Sequence, residues 1–333
     1  MFIIESYALA ILFCFVTMLC WGSWANTQKL VQQKWRFELF YWDYVIGIFV
    51  FSLLAAFTMG SYGEEGRSFL EDIRQAGSGN IVNALIGGFV FNLANMLLTA
   101  AIAGAGMAVA FPVGIGLALI IGVVINYILL SKGNPVLLFS GVLLVSIAII
   151  INAVAYSKHM GATGRKGVTK WIVVSVIAGI LMSTFYSFVA SAMDLENFVS
   201  PAVGKMTPYT AFVVFATGIL LSNILFNSIL MRRPLEGTPL HYADYFKGGR
   251  LHLVGMLGGA IWGLGNLFNL IAAEKAGPAI SYGLGQGATL VAALWGVLIW
   301  KEFKGANVPV RRMIFAMFFL FITGLALIIA AGK

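Results

Sequence analysis

The sequence predicts an all-α integral membrane protein whose ten transmembrane helices form two inverted five-helix repeats. Three observations carry this fold class. The 333 residues are 60% hydrophobic and only 10% charged, with a mean hydropathy of +0.93. No soluble core absorbs that much apolar surface, so lipid is the solvent for most of it. Apolar runs of about 20 residues, long enough to cross roughly 30 Å of hydrocarbon, occur ten times. Finally, the stretch 87–119 recurs 171 positions later at 258–290, without a gap and with 11 identities in 33 positions. Gly87-Gly88 falls on Gly258-Gly259, Asn95 on Asn266, Ala105-Gly106 on Ala276-Gly277, and Gly114 and Gly116 on Gly285 and Gly287. Matches in Gly, Ala and Asn are not what shared apolar composition produces; they mark an internal repeat.

In chain order the runs fall at about 7–26, 40–60, 81–103, 107–130, 135–157, 171–193, 208–231, 252–273, 279–300 and 310–331. The N-terminus lacks the basic segment and small-residue cleavage site of a signal peptide, so the first run is expected to stay as a spanning helix. Cys14 and Cys20 lie inside it and read as packing residues. The first repeat is 1–157, a cytoplasmic linker follows at 158–170, and the second repeat is 171–333. The longest connections, near 61–80 and 232–250, follow the second and seventh runs and so hold equivalent places. Neither has room for a soluble catalytic domain.

Net charge is +8, but the basic residues sit between apolar runs, as membrane-orienting charges do; they are not a nucleic-acid footprint. Connections after the odd-numbered runs, with Arg311 and Arg312 at the very start of the tenth run, hold 15 of the 21 Lys and Arg, which places them in the cytoplasm and both termini outside. Five crossings per repeat is an odd number, so the second copy is inserted upside down. Inverted repeats are a transporter device, in which two halves exchange roles around a site between them.

The repeated stretch supplies the first site candidates. Asn92 and Asn95 lie three apart on one helix; Asn266 and Asn269 do the same in the second copy, with Trp262 one turn earlier. An amide offers two donors and an acceptor, which suits a neutral polyhydroxyl or ureido solute. The competing reading is polar glue between helices in lipid. The ninth run carries Gly283, Gly285, Gln286 and Gly287, and the fourth Phe111-Pro112 before Gly114. Gly- and Pro-interrupted runs at matching places point to a midplane site, with Gln286 the polar candidate, although small residues also serve close packing. Trp21, Trp24 and Gln28 share a face at the end of the first run, where rings stack on flat or sugar-like solutes, or form an interfacial belt. Tyr186, with Ser183 and Thr184, holds the comparable part of the sixth run.

Asp43, in Tyr41-Trp42-Asp43-Tyr44, is the acid best placed inside an apolar run and the candidate proton carrier; the alternative is an interfacial acid at a helix start. No catalytic constellation, cofactor motif or metal-ligand spacing is legible.

Several of these residues also carry a resemblance. Gly22-Ser23-Trp24, Asp43-Tyr44, Gly87-Gly88 followed by Leu93-Ala94-Asn95, Asn126-Tyr127, Gly263-Leu264-Gly265-Asn266 and the ending Trp295-Gly296 to Lys301-Glu302 resemble the drug/metabolite transporter superfamily. Within it the chain looks most like the ureide permeases and the bacterial glucose/ribose uptake permeases, over nearly its whole length. The resemblance implies a ten-helix, proton-linked secondary transporter with its site between the halves. The plant ureide permeases' long central loop is replaced by the short linker 158–170, which favours the sugar branch. The expected function is therefore symport of a small neutral solute such as glucose or ribose; the alternatives are uptake of ureides or nucleobase-like heterocycles, and drug or metabolite export. The expected partners are that solute, a proton, the lipid bilayer of the plasma membrane and, as an option, a second copy in a homodimer.

Overall fold

Local sequence sets the helix ends. Ser6 Oγ accepts the Leu9 amide at 3.2 Å to start the first helix, and Asn134 Oδ1 accepts the Val136 amide at 2.9 Å just ahead of Pro135. Thr207 precedes Pro208, and Asn307 Oδ1 accepts the Val310 amide at 3.0 Å. Each cap satisfies an amide that the helix cannot, and proline in the first turn has no amide to lose.

The computed structural model describes residues 1–63, 65–105, 107–160, 168–235, 237–301 and 303–333. Gly106 of the repeated stretch, the centre of the linker (161–167) and Glu302 lie outside these. The helices are α1 (Tyr7–Ser23), α2 (Ala25–Val31), α3 (Phe37–Phe57), α4 (Phe69–Gln75), α5 (Ser78–Ala105), α6 (Met107–Leu129), α7 (Pro135–Met160) and α8 (Val168–Ala192). They continue with α9 (Pro208–Arg232), α10 (Tyr242–Tyr245), α11 (Leu251–Ala276), α12 (Pro278–Gln286), α13 (Ala288–Leu294) and α14 (Val308–Ala330). Among the described residues there is no strand, only an isolated bridge between Met193 and Met206. Among the described residues, nine segments are long and apolar enough to span a membrane, counting α1 with α2 as one and α12 onward to Ile299 as another. Helix α6 has 23 residues, about 34 Å at 1.5 Å each, with a shorter apolar portion at Val113–Leu129. The protein is a multi-pass membrane protein built of helices.

Two runs and one connection differ from the sequence expectation. The first continues to Val31 and turns at Trp24, where α1 gives way to α2. The ninth breaks at Gly287 and ends in a π-helical turn, Trp295–Ile299, in which the Trp300 amide reaches Trp295 O at 2.9 Å. The connection after α3 folds its own helix, α4, closed by a reciprocal Ser68–Glu71 capping box.

Contacts sort the connections into two ends. At one end the Phe2 amide meets Met59 O at 2.7 Å, the Gly77 amide meets Gly204 O at 2.8 Å, and the Asn134 amide meets Ala331 O at 2.6 Å. At the other, an Arg36 guanidinium N–H donates to Thr238 O at 2.6 Å and Trp300 Nε1 donates to Asn26 Oδ1 at 2.7 Å. Both termini therefore share an end with the connections after α3, α6 and α8.

The helix crossings repeat the 171-residue offset. A Cβ added at Gly88 of α5 would strike Phe215 O and lie 2.8 Å from Ile219 N on α9, while Gly218 opposes Leu85 O. On the crossing of α11 with α3, Gly259 opposes Tyr44 O and would lie 2.8 Å from Ile48 N, while Gly47 opposes Met256 O. Every residue of the second set is one of the first displaced by 171, with the halves exchanged. Glycine is required at these points because two backbones touch there.

Candidate substrate cavity and a buried carboxylate

A cavity of about 640 Å³ opens among α1–α2, α5, α8, α11 and α12–α13. Its inner end is formed by buried Phe91, Asn95, Trp262 and Gln286; towards the mouth stand Lys29, Arg36, Tyr156 and Trp300, with exposed Gln32. The mouth is thus at the end opposite the termini. Two spans beside it are interrupted in their hydrogen bonding, at Trp24 and at Gly287.

Six predicted residues line this cavity: Trp21, Trp24, Gln28, Asn95, Trp262 and Gln286. The Trp21 and Trp262 rings stack at 5.9 Å and 9°, and Phe91 lies 4.4 Å from Trp262. Asn95 Nδ2 donates to Tyr41 OH at 3.1 Å, leaving its other amide N–H and its oxygen for a solute. Trp21 Nε1 is buried with no partner among the described residues. Flat aromatic faces and amide edges converge on one space, the pattern of a small-molecule site.

The other four predicted residues lie outside the lining. Asn92 Nδ2 donates to Ser222 Oγ on α9 at 3.0 Å, and Asn269 Nδ2 donates to Ser281 O at 2.7 Å. Tyr186 OH meets Ser281 Oγ at 3.0 Å. These groups hold helices together. Ser183 and Thr184 donate to carbonyls of their own helix. Asn266 is buried outside the lining, and neither side-chain polar atom has a partner among the described residues. The offset explains the inequality: Tyr41, whose hydroxyl meets Asn95, has Phe212 as its counterpart, and a phenyl ring offers no hydroxyl.

Asp43 is buried and stands apart from the cavity lining. Tyr245 OH donates to its Oδ1 at 2.6 Å, and His252 Nδ1 lies 2.9 Å from both carboxylate oxygens. Burial, followed by the bond to Asp43, raises the Tyr245 pKa, so this hydroxyl remains a donor. Sequence reading missed both partners because they come from the α9–α11 connection and the start of α11. It also missed Glu38, a buried cavity-lining carboxylate clasped by Arg36. Among the described residues, no group of three His, Cys, Asp or Glu side chains could hold a metal ion.

The family model of the ureide permeases matches residues 40–169 and 162–331. The chain belongs to the ureide permease family. Ureide permease 2 of Arabidopsis thaliana is 23% identical, covering 100% of this chain and 99% of that protein. Ureide permease 1 of the same plant is 22% identical over equal shares. A putative sugar uptake protein of Streptococcus pyogenes is 23% identical over 66% of this chain and 69% of its own. A solved crystal structure shares the fold, with a TM-score of 0.62 and 15% identity over 96% of each chain. As a member of this permease family the chain is a transporter of small solutes and not an enzyme.

Proposed function

We propose that this protein takes up ureides or nucleobase-like heterocycles across the plasma membrane by alternating access, with a proton as coupling ion. The sequence alone favours a monosaccharide, with ureides as the alternative; the relatives support the alternative better. Those named ureide permeases align along the whole chain, whereas the streptococcal sugar uptake protein aligns over about two thirds of it. The single observation that carries the reading is the chemistry of the cavity: stacked Trp21 and Trp262, with Phe91, beside the amides of Asn95 and Gln286. Rings of this kind hold a flat solute by its faces, while amides exchange hydrogen bonds with N–H and C=O groups on its edge. A volume of about 640 Å³ lies in the ordinary range for small-ligand pockets, roughly 300–1,000 Å³.

The two exchanging units are taken to be the five-helix halves 1–157 and 171–333. The shared offset in the glycine crossings supports this. With the basic connections in the cytoplasm, the cavity mouth faces inward. A thermal-unfolding screen against ureides, nucleobases and monosaccharides tests the substrate, because a ligand that binds only the folded state raises its melting temperature. A ureide or nucleobase should stabilise the protein; stabilisation by a monosaccharide alone would restore the sugar reading.

A further inference from the structure

The contact between Asp43 and His252 behind the cavity wall has a geometry that the solute site does not use. His252 Nδ1 stands 2.9 Å from each oxygen of Asp43. With the carboxylate ionised, Nδ1 must therefore carry the proton, which leaves Nε2 as the open nitrogen of the ring. The ring is held for this. Trp35 packs edge-on at 5.4 Å and 88°, and Tyr245 lies 4.6 Å away. A side chain at Gly248 would stand 2.7 Å from Nε2. Glycine at position 248 lets the backbone pass close to this edge of the ring without a side chain clashing, and the His252 side chain remains 25% exposed to solvent.

Among the described residues, the titratable groups bonded to Asp43 are His252 from α11 and Tyr245 from α10. The α2–α3 turn presents the Trp35 ring. Lys247 is engaged by Asp244, and Arg36 by Glu38 and Thr238 O. The carboxylate is thus shielded from other cations, with one imidazole facing it.

We propose that Asp43 and His252 form a proton-exchange pair in which His252 passes the proton between the cytoplasmic water and the carboxylate. Nε2 takes a proton from water, the ring becomes imidazolium, and Nδ1–H passes to Asp43. The result is a neutral acid and the Nε2–H tautomer, with one proton gained and no other bond changed; release runs the same steps backwards. Two contacts connect this pair to transport. Asp43 sits against Gly255 at the α3–α11 crossing, one of the glycine crossings between the halves, and Trp35 touches the His252 ring while lining the cavity mouth. Proton occupancy therefore acts on a contact that moves when the halves exchange.

The transport arm of the test rests on the function proposed above; the spectroscopic arm does not. Trp35 serves as the probe, since an imidazolium at its edge quenches indole fluorescence. Purified protein titrated without solute between about pH 5 and 8 should show a fluorescence transition. The transition should vanish in Trp35→Phe and in His252→Asn, whose amide can still donate to Asp43 and so preserves the contact. In liposomes, wild-type uptake driven by a pH gradient should vary about tenfold over this range, whereas His252→Asn should vary less than about twofold. A His252→Asn protein that keeps the fluorescence transition, or keeps the wild-type pH profile, overturns the proposal. If the transition behaves as expected while no ureide or nucleobase is accumulated, the substrate reading fails and the pair stands.

Discussion

Asn95 and Gln286 are the buried amides of the cavity lining with hydrogen-bonding capacity left for a solute. Asn95 commits one N–H to Tyr41, and the Gln286 backbone carbonyl, not its amide, accepts Thr289 Oγ1 at 3.1 Å. A hydrogen bond to a neutral solute contributes about 0.5–1.5 kcal/mol, and leaving its partner buried and unpaired costs about 1–3. Asn95→Ala and Gln286→Ala should each weaken binding by roughly 5- to 100-fold, read as the solute concentration that half-stabilises the protein against unfolding. Asn92→Ala is the contrast. It removes a bond to Ser222 between α5 and α9, worth on the order of 0.6 kcal/mol in a membrane protein, and should lower thermal stability with affinity unchanged. The sequence put Asn92 and Asn95 on one face of a helix, and three residues apart they are indeed neighbours. What it could not show is that the border between helix packing and cavity runs between them. That border depends on where α9 lies, which the spacing within α5 does not contain. Partners far along the chain are invisible for the same reason: Asp43 was legible as an acid in an apolar run, but the imidazole 209 positions away was not.

Among the elements, spans were easy to read and their interiors were not. Composition locates a span because lipid demands about 20 apolar residues whatever the sequence order. The turn at Trp24 and the π turn at Trp295–Ile299 leave composition unchanged, so they escape such a reading, yet they flank the cavity. The glycines were legible as repeated residues, and the structure gives the reason at Gly259. A methyl group there would be driven into Tyr44 O, a backbone atom that cannot turn aside. Gly259→Ala should therefore destabilise the protein by about 1–3 kcal/mol, the usual penalty for overpacking, seen as a lower unfolding temperature in detergent. Gly79, in the first turn of α5, has nothing within 4 Å of an added Cβ. Gly79→Ala should be neutral or stabilising by up to about 1 kcal/mol, since alanine is the better helix former. Equal losses at both positions would mean that the α3–α11 contact is looser than its geometry requires.

At the scale of the whole molecule, the orphaned amide of Asn266 becomes intelligible. A buried unpaired amide costs about 1–3 kcal/mol, so its retention calls for a reason. If the two halves exchange conformations, the surroundings of Asn95 and Asn266 exchange as well. Asn266 then faces the solute when the cavity opens towards the termini, and Asn95 when it opens at the opposite end, as here. Single cysteines at the two positions separate this from static packing, once Cys14 and Cys20, both buried in α1, are replaced. Asn95→Cys should react with a membrane-impermeant thiol reagent added on the side of the basic connections, and solute should protect it. Asn266→Cys should react from the opposite side, the side of both termini, and only while transport is permitted. A reporter fused to the C-terminus fixes which side that is: the charge count places it outside the cytoplasm. If Asn266→Cys never reacts from either side under transport conditions while Asn95→Cys does, the halves do not exchange as an inverted pair, and the 171-residue offset records ancestry of the fold without a part in its motion.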